Sequence, residues 1–401
     1  MKQLREKIWW NGVFDRELKV FDIIMETKYG TTYNAYTIVG SEKTALIETA
    51  KEVFVEDYLR EVQELVAPNT VDYIIMNHTE PDHSGSIARL LEMNPEIEII
   101  GTTAAINNLK EILNRPFKSR VVKEGESLSL GDKTLRFIMA PNLHWPDTMY
   151  TYLEEDKILF TCDSFGAHYG TEGILRSEVK KEEEYYEALK YYFDMILGPF
   201  IPFMRRAMDK IKDLEIEMIC TGHGPILDSH INEVFDRYRE WTAEPIPREK
   251  KLVVIPYVTA YGYTKTMALT IAKGIEREGV EVHLYNLVED DCRNLQDDLL
   301  AADGILLGSC TILSDALAPV YNLCAEMIPM IHGGKHAAAF GSYGWTGEAV
   351  GNLTERLKQL KMKVKEGLRI RFKPSEEQKK LCEEFGAAFA LEILGKQAKV
   401  V

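Results

Sequence analysis

The sequence predicts a two-domain protein of mixed class, α+β followed by α/β. Residues 1–248 read as an αββα sandwich, two sheets between covering helices, and residues 249–401 as a doubly wound, five-stranded parallel sheet. Three observations carry this. Up to residue 241 short apolar runs are mixed irregularly with amphipathic stretches, the pattern of layered sheets with helices outside. From residue 251 the pattern becomes strict strand–helix alternation, and parallel strands require helical crossovers. Between them the segment 242–250, TAEPIPREK, carries two prolines and four charges and reads as a linker. A chain of 401 residues also exceeds one ordinary core.

In the first part, 21–25 (FDIIM), 31–39 (TTYNAYTIV) and 43–49 (KTALIET) read as consecutive strands with turns at Tyr29-Gly30 and Gly40-Ser41. A helix over 52–66, strand 71–77, helix 84–93, strand 96–101 and helix 103–113 follow. Three strands near 119–123, 127–130 and 133–140 come next, the last two joined at Gly131-Asp132, then strands 149–153 and 157–162. Helices near 182–196 and 200–213, strand 215–220 and helix 230–241 complete the domain. In the second part the strands are 251–258, 280–287, 303–309, 336–342 and 363–372, with helices at 264–278, 294–301, 315–329, 346–360 and 375–393.

The composition is that of a globular chain, 45% apolar and 28% charged, with a net charge of −15. That balance argues against nucleic acid or an anionic membrane as partner, since both select clustered Lys and Arg. Residues 1–12 show charges without an apolar core to follow, and the longest apolar stretch, 195–204, is broken by Gly198, Pro199 and Pro202. The six cysteines have no paired spacing. Reduced thiols and a cytoplasmic location are expected.

The main chemical signal is H78-T-E80-P-D82-H83, placed where the apolar strand VDYIIMN ends. Pro81 biases Glu80 toward an extended backbone, so the loop presents several side chains to one space. Two histidines and two carboxylates within six residues are costly to gather unless a cation holds them. His144, Asp163 and His223 likewise each follow an apolar strand, and His223 stands between Gly222 and Gly224. Four strands thus deliver donors along one edge of the sandwich. Seven donors are too many for one zinc but suit two metals bridged by a carboxylate. The competing reading, surface histidines and aspartates satisfied by backbone, explains any one of them but poorly explains the set. His168, five residues past Asp163 in SFGAH, is a candidate catalytic group, donating a hydrogen bond near a substrate; the competing reading is a loop histidine of no special role.

The second part offers three loops at the carboxyl ends of its first, third and fourth strands, where open α/β sheets bind ligands. The first is Thr259, Ala260, Tyr261, Gly262, Tyr263 and Thr264, with hydroxyls, a permissive glycine and a following helix N-terminus for a phosphate. The second contains Ser309, Thr311, Ile312 and Leu313. The third contains Ser342, Tyr343, Gly344, Trp345 and Gly347, with aromatic planes suited to a flat isoalloxazine. A dinucleotide is disfavoured, since no G-x-G-x-x-G follows the first strand.

The first part resembles the metallo-β-lactamase superfamily, both in this donor set and in an opening hairpin at 33–49; the second resembles flavodoxin. In this order, over essentially the whole chain, they resemble the flavodiiron proteins (A-type flavoproteins), most specifically at 78–83, 141–149 (PNLHWPDTM) and 340–347 (FGSYGWTG). Hydrolases of the superfamily carry H-x-H-x-D-H; here Glu80 replaces the second histidine, a harder, charged donor that favours iron over a zinc hydroxide. The phosphate loop departs from the family, with Tyr263 where a hydroxyl is usual and Tyr261 for Trp, and the second loop has Cys310 where Pro is common. The resemblance implies FMN and two non-haem irons: His78, Glu80 and His144 on one, Asp82, His83 and His223 on the other, Asp163 bridging. It implies an oxidoreductase reducing dioxygen to water, nitric oxide to nitrous oxide, or both. The implied partners are rubredoxin or a similar electron donor and a second copy in a head-to-tail homodimer or dimer of dimers, with no nucleic acid and no membrane. The alternative is a zinc-dependent hydrolase of the metallo-β-lactamase type fused to a flavodoxin module.

Overall fold

Strands buried on both faces carry no polar alternation, and four such runs lie in the two main sheets of the first unit: Thr44–Ile47, Met149–Leu153, Ile158–Cys162 and Met218–Thr221 are buried at every position. The computed structural model describes residues 1–23, 25–243 and 248–396. The chain divides into two compact units, Met1–Ala243 and Glu244–Val401.

In the first unit a seven-stranded sheet has the order Lys2–Arg5, Ile8–Trp10, Tyr36–Val39, Thr44–Ile47, Tyr73–Ile75, Glu98–Gly101, Lys118–Val121. A five-stranded sheet has the order Ser127–Ser129, Thr134–Met139, Met149–Leu153, Ile158–Cys162, Met218–Thr221. Ile8, Ile38, Ile47, Ile75 and Ile100 of one sheet pack on Phe137, Met149, Phe160 and Met218 of the other. The opposite face of the first sheet (Leu46, Ile74, Ile99) is covered by Tyr58, Leu90 and Ile106 from three helices. That of the second (Tyr150, Leu159, Ile219) is covered by Leu189, Met204 and Val234 from three more. This is the expected αββα sandwich. The edge strand Lys118–Val121 is fully exposed and carries Lys118 and Arg120, which protects an unpaired edge.

The N-terminal region differs from expectation. Residues 21–25 are not one strand: Val20–Phe21 and Met25–Glu26 form a small hairpin, with Asp22 and Ile23 at positive φ. Residues 31–39 break into Thr31–Tyr33, paired with Val13–Asp15, and Tyr36–Val39 in the main sheet. The strands of residues 2–15 leave no signal in the sequence, because at three or four residues each they show no period.

In the second unit the strand order is Glu281–Asn286, Leu252–Val258, Gly304–Ser309, His336–Tyr343, all parallel. The expected strand 363–372 is two pieces, Lys363–Val364 and Leu368–Arg371, both paired with His336–Tyr343. The topology is that of flavodoxin, with its switch point between the first and third strands. Tyr263–Arg277 and Glu376–Ile393 cover one face, in contact so close that a Cβ on Gly274 would lie 1.9 Å from Glu383 O. Leu295–Ala301, Ala318–Glu326 and Glu348–Gln359 cover the other.

Candidate metal centre and flavin cavity

Each donor sits just past a strand that holds it in place. His78 follows Tyr73–Ile75, His144 follows Thr134–Met139, Asp163 follows Ile158–Cys162, and His223 follows Met218–Thr221. Glu80 is extended at φ −53° and ψ 143°, as its neighbour Pro81 favours, and Pro81 opens a single helical turn, Pro81–Ser84, carrying Asp82 and His83. The segment is therefore part helix rather than all loop.

The donors form two groups. Glu80 Oε2 lies 3.1 Å from His78 Nε2 and 2.9 Å from His144 Nε2. Asp163 Oδ2 lies 3.5 and 3.4 Å from the same two nitrogens. Asp163 Oδ1 faces the other way, 3.1 Å from His83 Nε2 and 3.5 Å from His223 Nε2. Asp82 Oδ2 completes that group, 3.2 Å from His223 Nε2 and 3.5 Å from His83 Nε2. One carboxylate thus gives one oxygen to each triad.

These residues fit a pair of metal ions. Donors at right angles on a metal with bonds of about 2.1 Å are about 3.0 Å apart, close to the separations found. Both oxygens of Asp82 and Oδ2 of Asp163 are buried without a hydrogen-bond partner, a costly arrangement that cations relieve. Burial opposes the Asp163 charge, yet His83, His144 and His78 hold its carboxyl well below the usual range. Burial likewise lowers the His144 pKa, but Asp163 and Glu80 outweigh it and raise it to about 9. Metal ions displace such imidazole protons, since only the neutral ring ligates.

Groups behind the donors aim them. Asp147 Oδ2 accepts from the Thr79 N–H and hydroxyl, both at 2.7 Å, and lies 3.3 Å from His78 Nδ1. His223 Nδ1 donates to the Thr32 carbonyl at 2.7 Å. Each contact leaves Nε2 for the centre. Gly222 is required by space: a Cβ there would lie 2.9 Å from His83 Cε1. Trp145, Phe21, Tyr33 and Tyr192 wall the cluster with rings 5.2–6.0 Å from those of His78 or His223. His168 lies beside the donors and outside both triads. Its Nδ1 is 2.8 Å from Thr31 Oγ1 and its ring 5.1 Å from that of His223. Burial, then the neighbouring His223, push its pKa well below the usual imidazole value. Sequence reasoning assigned no role to Asp147, Thr79, Thr31 or Thr32; Asp147 at least lay within the distinctive segment 141–149.

In the second unit a cavity of about 330 Å³ opens at the switch point. Ala260, Tyr261, Tyr263, Thr311, Ile312, Leu313, Ser342, Tyr343, Gly344 and Trp345 line it. Thr259, Gly262, Thr264, Ser309 and Gly347 support the lining instead. Thr259 Oγ1 accepts from the Gly262 N–H at 3.0 Å, Thr264 Oγ1 pairs with Ser342 Oγ at 2.9 Å, and Ser309 Oγ accepts from the Leu317 N–H at 3.0 Å. Gly347 has φ +78°, and a Cβ there would meet the Tyr343 ring at 2.9 Å. Cys310, Ser314, Thr346, Glu348 and Phe372 also line the cavity and were not anticipated as contacts. A mostly apolar, aromatic-rimmed slot beside the N-terminus of the helix Tyr263–Arg277 suits a ring with a phosphate tail.

Fold and site together define a two-module flavoprotein with a carboxylate- and imidazole-rich di-metal centre. Residues 31–224 match the family described as ODP family beta lactamase, and residues 255–386 match flavodoxin. The chain is 39% identical over 398 residues to the flavo-diiron protein FprA2 of Clostridium acetobutylicum, covering 98% of this chain and 99% of that protein. It is 37% identical to the type A flavoprotein fprA of Rhodobacter capsulatus, covering 98% and 91%. Among solved structures, the flavodiiron protein of Giardia intestinalis superposes with a TM-score of 0.66 at 26% identity, covering 98% and 97%. A Thermotoga maritima flavoprotein gives 0.65 at 26%, covering 98% of each chain. The chain belongs to the flavodiiron proteins, a family of oxidoreductases, and its cofactors are FMN and a non-haem diiron pair. The fused zinc-hydrolase alternative is not favoured. Among the described residues no helix is long and apolar enough to cross a membrane.

Proposed function

We propose that this chain reduces dioxygen to water, nitric oxide to nitrous oxide, or both. His78, Glu80 and His144 hold one iron, Asp82, His83 and His223 the other, and Asp163 bridges them. The observation that carries the reading is the division of Asp163 between the two triads, one oxygen 3.1 Å from His83 and the other 3.4 Å from His144. When bound, two ferrous ions and a reduced flavin supply the four electrons that convert O2 and four protons to two waters; two electrons convert two NO and two protons to N2O and one water.

The chain's own groups set the conditions. Asp163 fixes the spacing, Asp147 and the Thr32 carbonyl orient His78 and His223, and the aromatic walls limit water at the reacting atoms. The cavity of the second unit, lined by Tyr261, Tyr263, Tyr343 and Trp345, would hold FMN, which would supply the route for electrons from rubredoxin or a similar small carrier. A second copy, arranged head to tail, brings the flavin of one chain to the metals of the other. In support, Tyr261, Leu313 and Trp345 at the cavity rim are 84%, 92% and 88% exposed, an apolar surface for a partner to cover. A cytoplasmic location is part of this reading, supported by cysteines that are all free. Anaerobic stopped flow on reduced, iron-quantified protein tests it: fast reoxidation by O2 or NO is expected, and the two rates set the preference. Reoxidation by neither gas overturns it. Full activity in a sedimenting monomer overturns the dimer.

A further inference from the structure

We infer that Glu48, buried behind the metal centre, is a positioning residue for His83: its free carboxylate oxygen accepts the hydrogen on His83 Nδ1 and so holds Nε2 toward the metal. The inference rests on the ligand assignment proposed above.

Glu48 follows the strand Thr44–Ile47, is 1% exposed and belongs to neither triad. A buried carboxylate is costly unless its oxygens are met. Oε1 is met, accepting from the Asn77 N–H at 2.7 Å. Oε2 has no hydrogen-bond partner. His83 has the matching deficit. Its Nε2 faces Asp163 Oδ1 at 3.1 Å and Asp82 Oδ2 at 3.5 Å, while its Nδ1 is buried without a partner. His78 and His223 are not left so, since Asp147 and the Thr32 carbonyl stand behind their Nδ1 atoms. The Glu48 carboxylate, a His83 ring nitrogen and Cys162 Sγ lie within 4.8 Å of one another. Of these the carboxylate is the strong acceptor, a thiol sulfur being a weak one. Two unmet buried groups cost about 1–3 kcal/mol each, and one hydrogen bond between them, reached by side-chain rotation, relieves both.

The main chain already joins the two residues. The Thr49 N–H and hydroxyl donate to the His83 carbonyl at 2.8 and 2.7 Å. Glu48 has φ +57°, a conformation that costs about 1–3 kcal/mol and persists where the surroundings over-determine it. Residues 48 and 49 thus hold the His83 backbone and set a carboxylate near its ring. With iron on Nε2, Nδ1 carries the hydrogen, and an acceptor there fixes both tautomer and ring angle. Asn11 Nδ2, also buried without a partner, is the rival donor for Oε2.

Glu48→Gln in the iron- and FMN-loaded protein is the test. Its amide oxygen keeps the Asn77 N–H, which turns the NH2 toward His83, donor against donor. Chelator competition followed by Mössbauer spectroscopy should show the Asp82–His83–His223 iron weakened about 10–100-fold and the His78–Glu80–His144 iron retained. Added to His83→Ala, the same substitution should cost nothing more, because a residue that acts through His83 then has nothing to act on. A crystal structure of the iron-loaded wild type needs no variant to fold, and there Glu48 Oε2 is expected within about 3.2 Å of His83 Nδ1. Iron unweakened in Glu48→Gln, equal loss of both irons, further loss on top of His83→Ala, or Oε2 turned to Asn11 in that crystal structure overturns the inference. If His83→Ala alone binds both irons as the wild type does, the ligand assignment fails, and this inference with it.

Discussion

Asp147 ligates nothing in the proposed scheme, yet removing it should empty one half of the metal centre before the other. Its Oδ2 accepts two bonds of 2.7 Å from Thr79 and faces His78 Nδ1 at 3.3 Å. Bonds to a charged acceptor contribute about 1.5–3 kcal/mol each, and loss of the group orienting a ligating histidine lowers metal affinity about 10–100-fold. Asp147→Ala also leaves the buried Thr79 N–H without its acceptor. The expected outcome is a loss of about 2–4 kcal/mol in the urea unfolding of the first unit, of the order assigned to stranded buried polar groups. Chelator competition followed by Mössbauer spectroscopy should show the His78–Glu80–His144 iron weakened about 10–100-fold, with the Asp82–His83–His223 iron retained. Asp147→Asn keeps an acceptor oxygen toward Thr79 and removes the charge, so it should recover most of the stability and only part of the affinity. Equal loss of both irons, or loss of neither, would refute the assignment of Asp147 to one half-site.

Three further outcomes follow from packing. Gly222→Ala places a methyl 2.9 Å from His83 Cε1 and 3.0 Å from the Cys162 carbonyl carbon, so His83 must shift; chelator competition should show the Asp82–His83–His223 iron weakened with FMN content unchanged. Gly386→Ala sets a Cβ 2.1 Å from Ile271 O, forcing apart Tyr263–Arg277 and Glu376–Ile393, and should destabilise the second unit by about 1–3 kcal/mol in urea unfolding while the metal centre keeps its iron. Thr264→Val breaks the buried pair with Ser342 Oγ at the flavin cavity, and FMN titration of the apoprotein should show about tenfold weaker binding, the order of one lost hydrogen bond.

How much of this was legible in the sequence follows from the range of each signal. The donor-bearing strands were legible because they are short, mostly apolar runs, two of them (Ile158–Cys162 and Met218–Thr221) buried at every position, and because His78, His144, Asp163 and His223 each stand within five residues of such a run. The doubly wound unit was legible from its alternation. What was not legible is contact between distant segments. That Asp163 divides its oxygens, that Asp147 sits behind His78, and that Thr31 and Thr32 reach His223 across 191 or 192 positions are properties of the assembled sandwich. The hairpin at 20–26 misled for a local reason: FDIIM is apolar enough for a strand, but Asp22 and Ile23 adopt positive φ and reverse the chain, which also brings Phe21 against His168 and His223. Phe372, well removed in sequence from the three predicted loops, reaches the flavin cavity only because Leu368–Arg371 pairs with His336–Tyr343.

The central claim, that Asp163 bridges two irons, is tested most directly by Mössbauer spectroscopy of protein loaded with iron-57, oxidised and then reduced, beside Asp163→Asn. The account predicts two irons per chain, magnetically coupled in the wild type, with coupling weakened or lost and iron content lowered in the variant. Two uncoupled irons in the wild type, a single iron, or an Asp163→Asn spectrum identical to the wild type would contradict it.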